Sequence, residues 1–227
     1  MDDNKKQKLA ARARAVDKIL ADTYGEKKQT RKTDPTSELI LTILSQNTND
    51  INRDRAFKTL KERFPTWADI ASAKVTDIAK AIHGGGLSGI KSKRIKKILS
   101  QIKEWSSDYK LLFLKKMSDK EVFDYLMSFT GVGPKTASCV LLFSLGRQAM
   151  PVDTHVYRVG QRLGFIPPNL NAEKAHQWFL ELKLPIDMYQ FHLNLIQHGR
   201  TLCRPSNPKC DVCPIKRYCL YHNSSLE

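Results

Sequence analysis

The chain has 227 residues and a formal net charge of +15, from 38 Lys and Arg against 23 Asp and Glu. A chain of this length can bury a sizeable interior in one large or two small domains. No stretch approaches the 18 apolar residues of a membrane-spanning helix, and the opening segment has no signal-peptide apolar region, so the expectation is a soluble, intracellular chain. An excess of positive charge on this scale favours polyanions, of which nucleic acid is the commonest.

The apolar pattern is helical almost throughout. Residues 5–24 set Leu9, Val16, Ile19, Leu20 and Tyr24 at near-helical spacing. Residues 37–46 form an apolar helix that runs into the polar string Ser45-Gln46-Asn47-Thr48-Asn49-Asp50. Further helices are expected over 52–63, 67–82, 91–105 and 119–129, the last opened by the capping box Ser118-Asp119-Lys120-Glu121. Five of the seven residues from Lys91 to Lys97 are basic, and the run follows Gly84-Gly85-Gly86, where another backbone can approach closely. Helices over 135–146, 154–163, 172–182 and 187–202 complete the reading. No alternating strand, internal repeat or low-complexity linker interrupts it, so the fold class is all-α. Trp67, Trp105 and Trp178 fit apolar helix faces, and Cys139 reads as a buried core thiol. The closing Ser225-Leu226-Glu227 is set aside from the fold reading.

At the junction of two of these helices stands Phe129-Thr130-Gly131-Val132-Gly133-Pro134-Lys135-Thr136-Ala137. Gly131 and Gly133 permit positive φ and close backbone approach. Pro134 suits the first helical position, where its missing N–H costs nothing. The amides at the following helix start point outward and suit an anion such as phosphate, while Val132 tucks into the angle between the helices. A tight helix connection with no ligand has the same outline; the flanking helices and the basic chain favour phosphate.

Near the C-terminus, Cys203, Cys210, Cys213 and Cys219 fall within 17 residues as C-x6-C-x2-C-x5-C. Thiols this dense, without a secretory signal, argue for a soft metal centre ahead of disulfides. Four thiolates hold one zinc or an iron–sulfur cluster. Zinc sites usually pair two Cys-x-x-Cys knuckles, whereas here one knuckle has a single cysteine on either side, which favours a cluster.

The sequence Gly131-Val132-Gly133-Pro134-Lys135-Thr136-Ala137, then Val152-Asp153-Thr154-His155, then the cysteine loop resembles the endonuclease III family of helix-hairpin-helix DNA glycosylases with a [4Fe-4S] cluster. The similarity runs over residues 15–220 in the same order. It implies two helical domains with the DNA cleft between them. Residues 37–147 would form a six-helix barrel containing the hairpin at 119–146. Residues 1–36 and 148–227 would form the cluster domain, with Cys203, Cys210, Cys213 and Cys219 of the loop 203–219 as ligands.

What the resemblance implies chemically rests on two residues. Lys135 sits in the first turn of its helix, where the positive dipole end favours the free amine, and a free amine can attack a sugar C1′ to give a Schiff base. Asp153, on its own residues an N-cap, matches a catalytic carboxylate. A damaged base would be flipped from duplex DNA, Lys135 would attack C1′ as it leaves, and the imine would allow β-elimination on the 3′ side. Asn47 would enter the duplex from one loop, with DNA-binding Gln46 immediately before it, and Leu87 from another. Gly131, Val132, Gly133, Lys135, Lys91, Arg204 and Lys209 would meet the DNA backbone.

Two departures bear on substrate. Ser88 stands where many relatives carry an aromatic residue, and Asn47 is shorter than the usual glutamine. Oxidised pyrimidines are the default, with uracil or mismatched thymine as the alternative. An adenine glycosylase fits less well, because that branch generally lacks this lysine and the chain ends eight residues after Cys219. His155 could orient Asp153, contact DNA or serve structurally. The rival readings are a monofunctional glycosylase, in which Asp153 activates water, and a non-catalytic DNA-binding module with structural zinc. The expected molecule is a monomer, cytoplasmic and nucleoid-associated, acting on duplex DNA with damaged bases or abasic sites, its cluster a structural clamp.

Overall fold

The structure is a computed structural model that describes residues 2–30 and 32–223; Ser225-Leu226-Glu227 lies outside the described residues. In chain order the helices are α1 (Asp3–Tyr24), α2 (Pro35–Ser45), α3 (Asp50–Arg63), α4 (Trp67–Ser72), α5 (Val75–Ala81), α6 (Ser88–Trp105), α7 (Asp119–Met127), α8 (Pro134–Cys139, continued by a π-helical turn over Val140–Ser144), α9 (Thr154–Arg162), α10 (Ala172–Leu182), α11 (Met188–Thr201) and α12 (Leu220–Asn223). No strand occurs among the described residues, and the fold is all-α. No described helix is long and apolar enough to cross a membrane.

The helices gather into two compact units, one of Lys32–Leu145 and the other of Met1–Arg31 with Gly146–Glu227. In the first, α2 is the hub. Its sequence PTSELILTILS is apolar almost all round, and a helix of that kind is buried on every side; Leu39, Ile40, Ile43 and Leu44 are fully enclosed. Around it pack α3, α6 and α8. The C-terminal end of α2 is thereby fixed, and the string from Gln46 to Asn49 leaves from that fixed point.

The expected single helix over 67–82 is two helices. The Thr66 hydroxyl and the Asp69 carboxylate cap α4 reciprocally. Ala73 then turns extended, and its carbonyl accepts from Lys96 Nζ at 2.7 Å, which holds the break. The expected capping box at Ser118 and Glu121 is present at the start of α7. Trp105 does not sit in an apolar face: it is 69% exposed, stacked on Phe113 and edge-on to Tyr125.

The second unit joins the two ends of the sequence. Leu9, Ala13, Val16 and Leu20 form one buried stripe of α1 and pack toward α11. Gln190 Nε2 donates to the Asp17 carboxylate, and Arg12 Nη1 donates to the Leu163 carbonyl at 2.9 Å. Phe165 meets Phe191 edge-to-face at 5.5 Å between ring centroids, and Trp178 Nε1 donates to the Phe165 carbonyl.

Candidate active site

In the unit Lys32–Leu145 the hairpin α7–α8 presents the Gly131–Lys135 loop. Gly131 has φ +82°, and a Cβ there would lie 2.7 Å from Arg94 Cδ, so both conformation and space demand glycine. Gly133 has neither constraint: its φ is −108°, and an added Cβ would meet nothing within 4 Å among the described residues. Open space around an unstrained glycine leaves close approach of an outside group as its use. Pro134 takes the first helical position, where the N–H it lacks would have had no intrahelical partner.

Arg94 locks this loop to the end of α2. Its Nη1 donates to Gln46 Oε1 at 2.6 Å, and Gln46 Nε2 donates to the Gly131 carbonyl at 3.4 Å. Gln46 therefore braces the hairpin from one side. Asn47 beside it is exposed, with φ +52°, a left-handed conformation that asparagine tolerates better than most residues. Leu87 opens α6 with φ +51° and is 48% exposed, so it is no core leucine. A left-handed leucine facing solvent is a local strain that packing of its own side chain does not explain.

Val132 tucks between the helices as expected, whereas Lys91 does not face a phosphate. Val132 is buried and its amide donates to the Phe129 carbonyl, so it is a wedge inside the hairpin. Lys91 is 1% exposed, and its ammonium donates to the carbonyls of Leu44 and Gly85, each at 2.7 Å. Its position in α6 turns it inward with Ile95, Ile98 and Ile102, out of a run that reads as uniformly basic.

Lys135 is half-buried in the first turn of α8, and within its unit no described residue is hydrogen-bonded or ion-paired to its amine. Glu38 of α2 is buried and accepts from Thr33 Oγ1 at 2.9 Å and Thr42 Oγ1 at 3.3 Å. Burial pushes its carboxyl above the usual range; the two hydroxyls and the positive charges of Arg53 and Lys135 pull it back. The Lys135 charge is thus felt at Glu38. An acidic residue inside an apolar helix was the sequence signal for it.

In the other unit Asp153 caps α9, its Oδ1 accepting from Val156 N at 2.7 Å. Its second oxygen is not engaged by any described residue of that unit. His155 lies against Gly199 and contacts Arg158 through Nδ1 at 3.3 Å, a structural placement. Arg158 and Arg162, one turn apart on α9, reach the cysteine loop. Arg158 Nε donates to the Cys203 carbonyl at 2.9 Å, and Arg162 Nη1 donates to Cys203 Sγ at 3.2 Å and to the Arg204 carbonyl. The helix that begins at Asp153 is therefore held by that loop. Arg204 and Lys209 project from it, both exposed.

Cys203, Cys210, Cys213 and Cys219 line one recess with Arg162, His198 and Ile215, and none forms a disulfide. Among the described residues no three His, Cys, Asp or Glu side chains are placed so as to hold a metal ion. Four thiols lining one recess without a disulfide are a donor set that suits a soft metal centre. Burial, followed by the charges of Cys203, Cys219 and Cys210, pushes Cys213 up to about 11; a cationic centre reverses that repulsion. His198 Nε2 lies 3.7 Å from Cys213 Sγ, while its Nδ1 meets the Tyr24 hydroxyl of α1 at 3.0 Å. Burial lowers His198 to about 4, so it is neutral, and a proton on Nε2 satisfies both contacts. Such second-layer partners orient soft-metal ligands.

Residues 40–184 match the family model of the HhH-GPD superfamily base excision DNA repair proteins. The chain belongs to the HhH-GPD superfamily. Endonuclease III of Thermotoga maritima is 32% identical to it over 195 residues, covering 85% of each chain. A protein of Arabidopsis thaliana whose name describes a DNA glycosylase is 41% identical over 180 residues, which are 78% of this chain and 60% of that relative's length. Among solved structures, an endonuclease III trapped as a covalent intermediate with DNA matches with TM-score 0.74 at 24% identity, over 98% of this chain and 99% of that one; that likeness speaks to the fold. Within this HhH-GPD chain, Arg94, Glu38, Arg158, Arg162 and His198 are the residues that the motifs alone did not single out.

Proposed function

We propose that this HhH-GPD protein is a bifunctional DNA glycosylase with AP lyase activity that removes damaged bases, in the first place oxidised pyrimidines, from duplex DNA. The observation that carries this reading is the Lys135 amine, held half-buried at a helix start without a hydrogen-bond or ion-pair partner in its own unit. A lysine used only to bind phosphate has no need of such shelter. In the proposed reaction Lys135 attacks C1′ as the base departs, and the iminium formed acidifies the adjacent sugar C–H so that the 3′ phosphate leaves by β-elimination. The Asp153 carboxylate offsets the positive charge that develops on the deoxyribose. Asn47 and Leu87 fill the space that the base vacates. Arg204 and Lys209 contact phosphates.

Cys203, Cys210, Cys213 and Cys219 would hold the [4Fe-4S] cluster of the family. When bound, that cluster supplies a fixed cross-link and charge for four thiolates. The chain's own residues do the rest: Arg158 and Arg162 tie the loop to α9, and with it to Asp153.

The test is a set of single-lesion duplexes, with thymine glycol, uracil and thymine opposite guanine, beside a duplex with a preformed abasic site. The expected result is release of thymine glycol and nicking of the abasic strand without added base. Base release with an intact abasic strand would instead make the protein monofunctional. The hairpin glycines give a second test. Gly131→Ala forces a left-handed alanine and pushes Arg94 away, lowering stability by about 2 kcal/mol. Gly133→Ala costs about 1 kcal/mol or less yet weakens duplex binding, read by fluorescence anisotropy at two salt concentrations. Equal losses of stability with unchanged binding would remove Gly133 from the DNA interface.

A further inference from the structure

A lysine fully enclosed in a protein is rare unless it is paired. Lys91 has no ion pair among the described residues, and its burial lowers its basicity. A buried ammonium costs several kcal/mol, and an apolar side chain would fill the same space beside Ile95 more favourably. The polar head must therefore do something that packing does not.

Its three contacts identify the task. Lys91 Nζ donates to the Leu44 carbonyl, in the last turn of α2, and to the Gly85 carbonyl, in the turn before α6. Its backbone amide donates to the Leu87 carbonyl at 3.0 Å. The last turn of α2 has no basic residue of its own, and its end carbonyls lack intrahelical donors; Lys91 serves one of them from another helix. Gly85 is pressed on Ala56, where an added Cβ would come within 3.0 Å, and an added Cβ on Gly86 would lie 3.9 Å from the Asn47 carbonyl. The two loops are thus in register, and each carries one left-handed residue, Asn47 and Leu87. Strained conformations of this kind persist only where the surroundings over-determine them.

We propose that Lys91 is a positioning residue: its buried ammonium clamps the end of α2 to the turn before α6, so that Asn47 and Leu87 enter the duplex as one rigid unit. This rests on the reading of Asn47 and Leu87 as the groups that fill the vacated space. Lys91 touches no DNA and takes no part in the covalent step. Its loss therefore slows the opening of a paired site and spares a site that is already open.

The experiment compares Lys91→Met, which keeps the stem and removes the donors, with the unaltered protein under single turnover. The probes are thymine glycol opposite adenine and thymine glycol opposite an abasic gap, and the readout is the rate of borohydride-trapped adduct. Lys91→Met is expected to lower the rate on the paired probe roughly tenfold to a hundredfold and to leave the gapped probe within about twofold. An equal loss on both probes would show a merely structural lysine and overturn the proposal. If Lys91→Met does not fold, the cycle of Asn47→Ala, Leu87→Ala and their double variant in the Lys91 protein carries the test. Losses on the paired probe that are less than additive support one rigid unit, and additive losses overturn it. If neither single variant changes the ratio of paired to gapped rates, the reading of Asn47 and Leu87 fails, and Lys91 loses its role with it. Additive losses, with each single variant lowering that ratio, strike the role of Lys91 alone.

Discussion

Replacing Lys135 by Gln abolishes borohydride trapping on a lesion-bearing duplex and lowers the lyase rate by at least on the order of 10⁴-fold, while the protein still folds and binds DNA. The fold tolerates the change because Lys135 is half-buried and makes no hydrogen bond or ion pair with a described residue of its unit; only its long-range effect on Glu38 is lost. Glutamine and lysine have similar helix propensities, and Gly133 caps α8 without help from a side chain, so the stability change stays within about 0.5 kcal/mol. The hairpin bracing by Arg94 and Gln46 is untouched. Only the nucleophile is removed. Lys135→Arg is expected to fail equally, since a guanidinium stays protonated and cannot attack. An arginine variant that still traps would show that Lys135 acts through its charge and not as a nucleophile.

Replacing Cys213 by Ala is expected to prevent binding of the proposed cluster, leaving a colourless protein, and to destabilise the unit that carries Asp153 by more than about 4 kcal/mol. Cys213 lines the recess with the other three cysteines and borders His198, which reaches α1 through Tyr24. The same loop receives Arg158 and Arg162 from α9. Loss of one ligand therefore loosens α1 and α9 together, and Asp153 caps the second of these. Visible absorption, iron and sulfide analysis and thermal unfolding read the result. Stoichiometric zinc in both aerobically and anaerobically purified samples would contradict the cluster assignment.

How much of this was legible in the sequence depends on the distance over which each feature is encoded. The all-α class and most helix limits followed from local spacing, and the box at Ser118 and Glu121 marked its helix start to the residue. Family membership followed from three short motifs in order. The break at Ala73 was not legible, because the group that holds it, Lys96, comes from another helix. Lys91 was misread for the same reason. In a run with five basic residues nothing local shows which of them turns inward; that is decided by the open carbonyls of Leu44 and Gly85. Trp105 was misread because apolar character need not mean burial. Gly131 and Gly133 look alike in sequence, yet only the first is compelled by its own conformation and by Arg94. The layer around the cysteines escaped notice since Arg158, Arg162 and His198 are ordinary helix residues until the loop folds against them.

The most direct test of the central claim is to reduce the reaction of the unaltered protein on a thymine glycol duplex with borohydride, digest the adduct and locate the modified residue by mass spectrometry. The account predicts a deoxyribose fragment on Lys135. A fragment on the N-terminal amine or another lysine, or base release with no adduct at all, would contradict it.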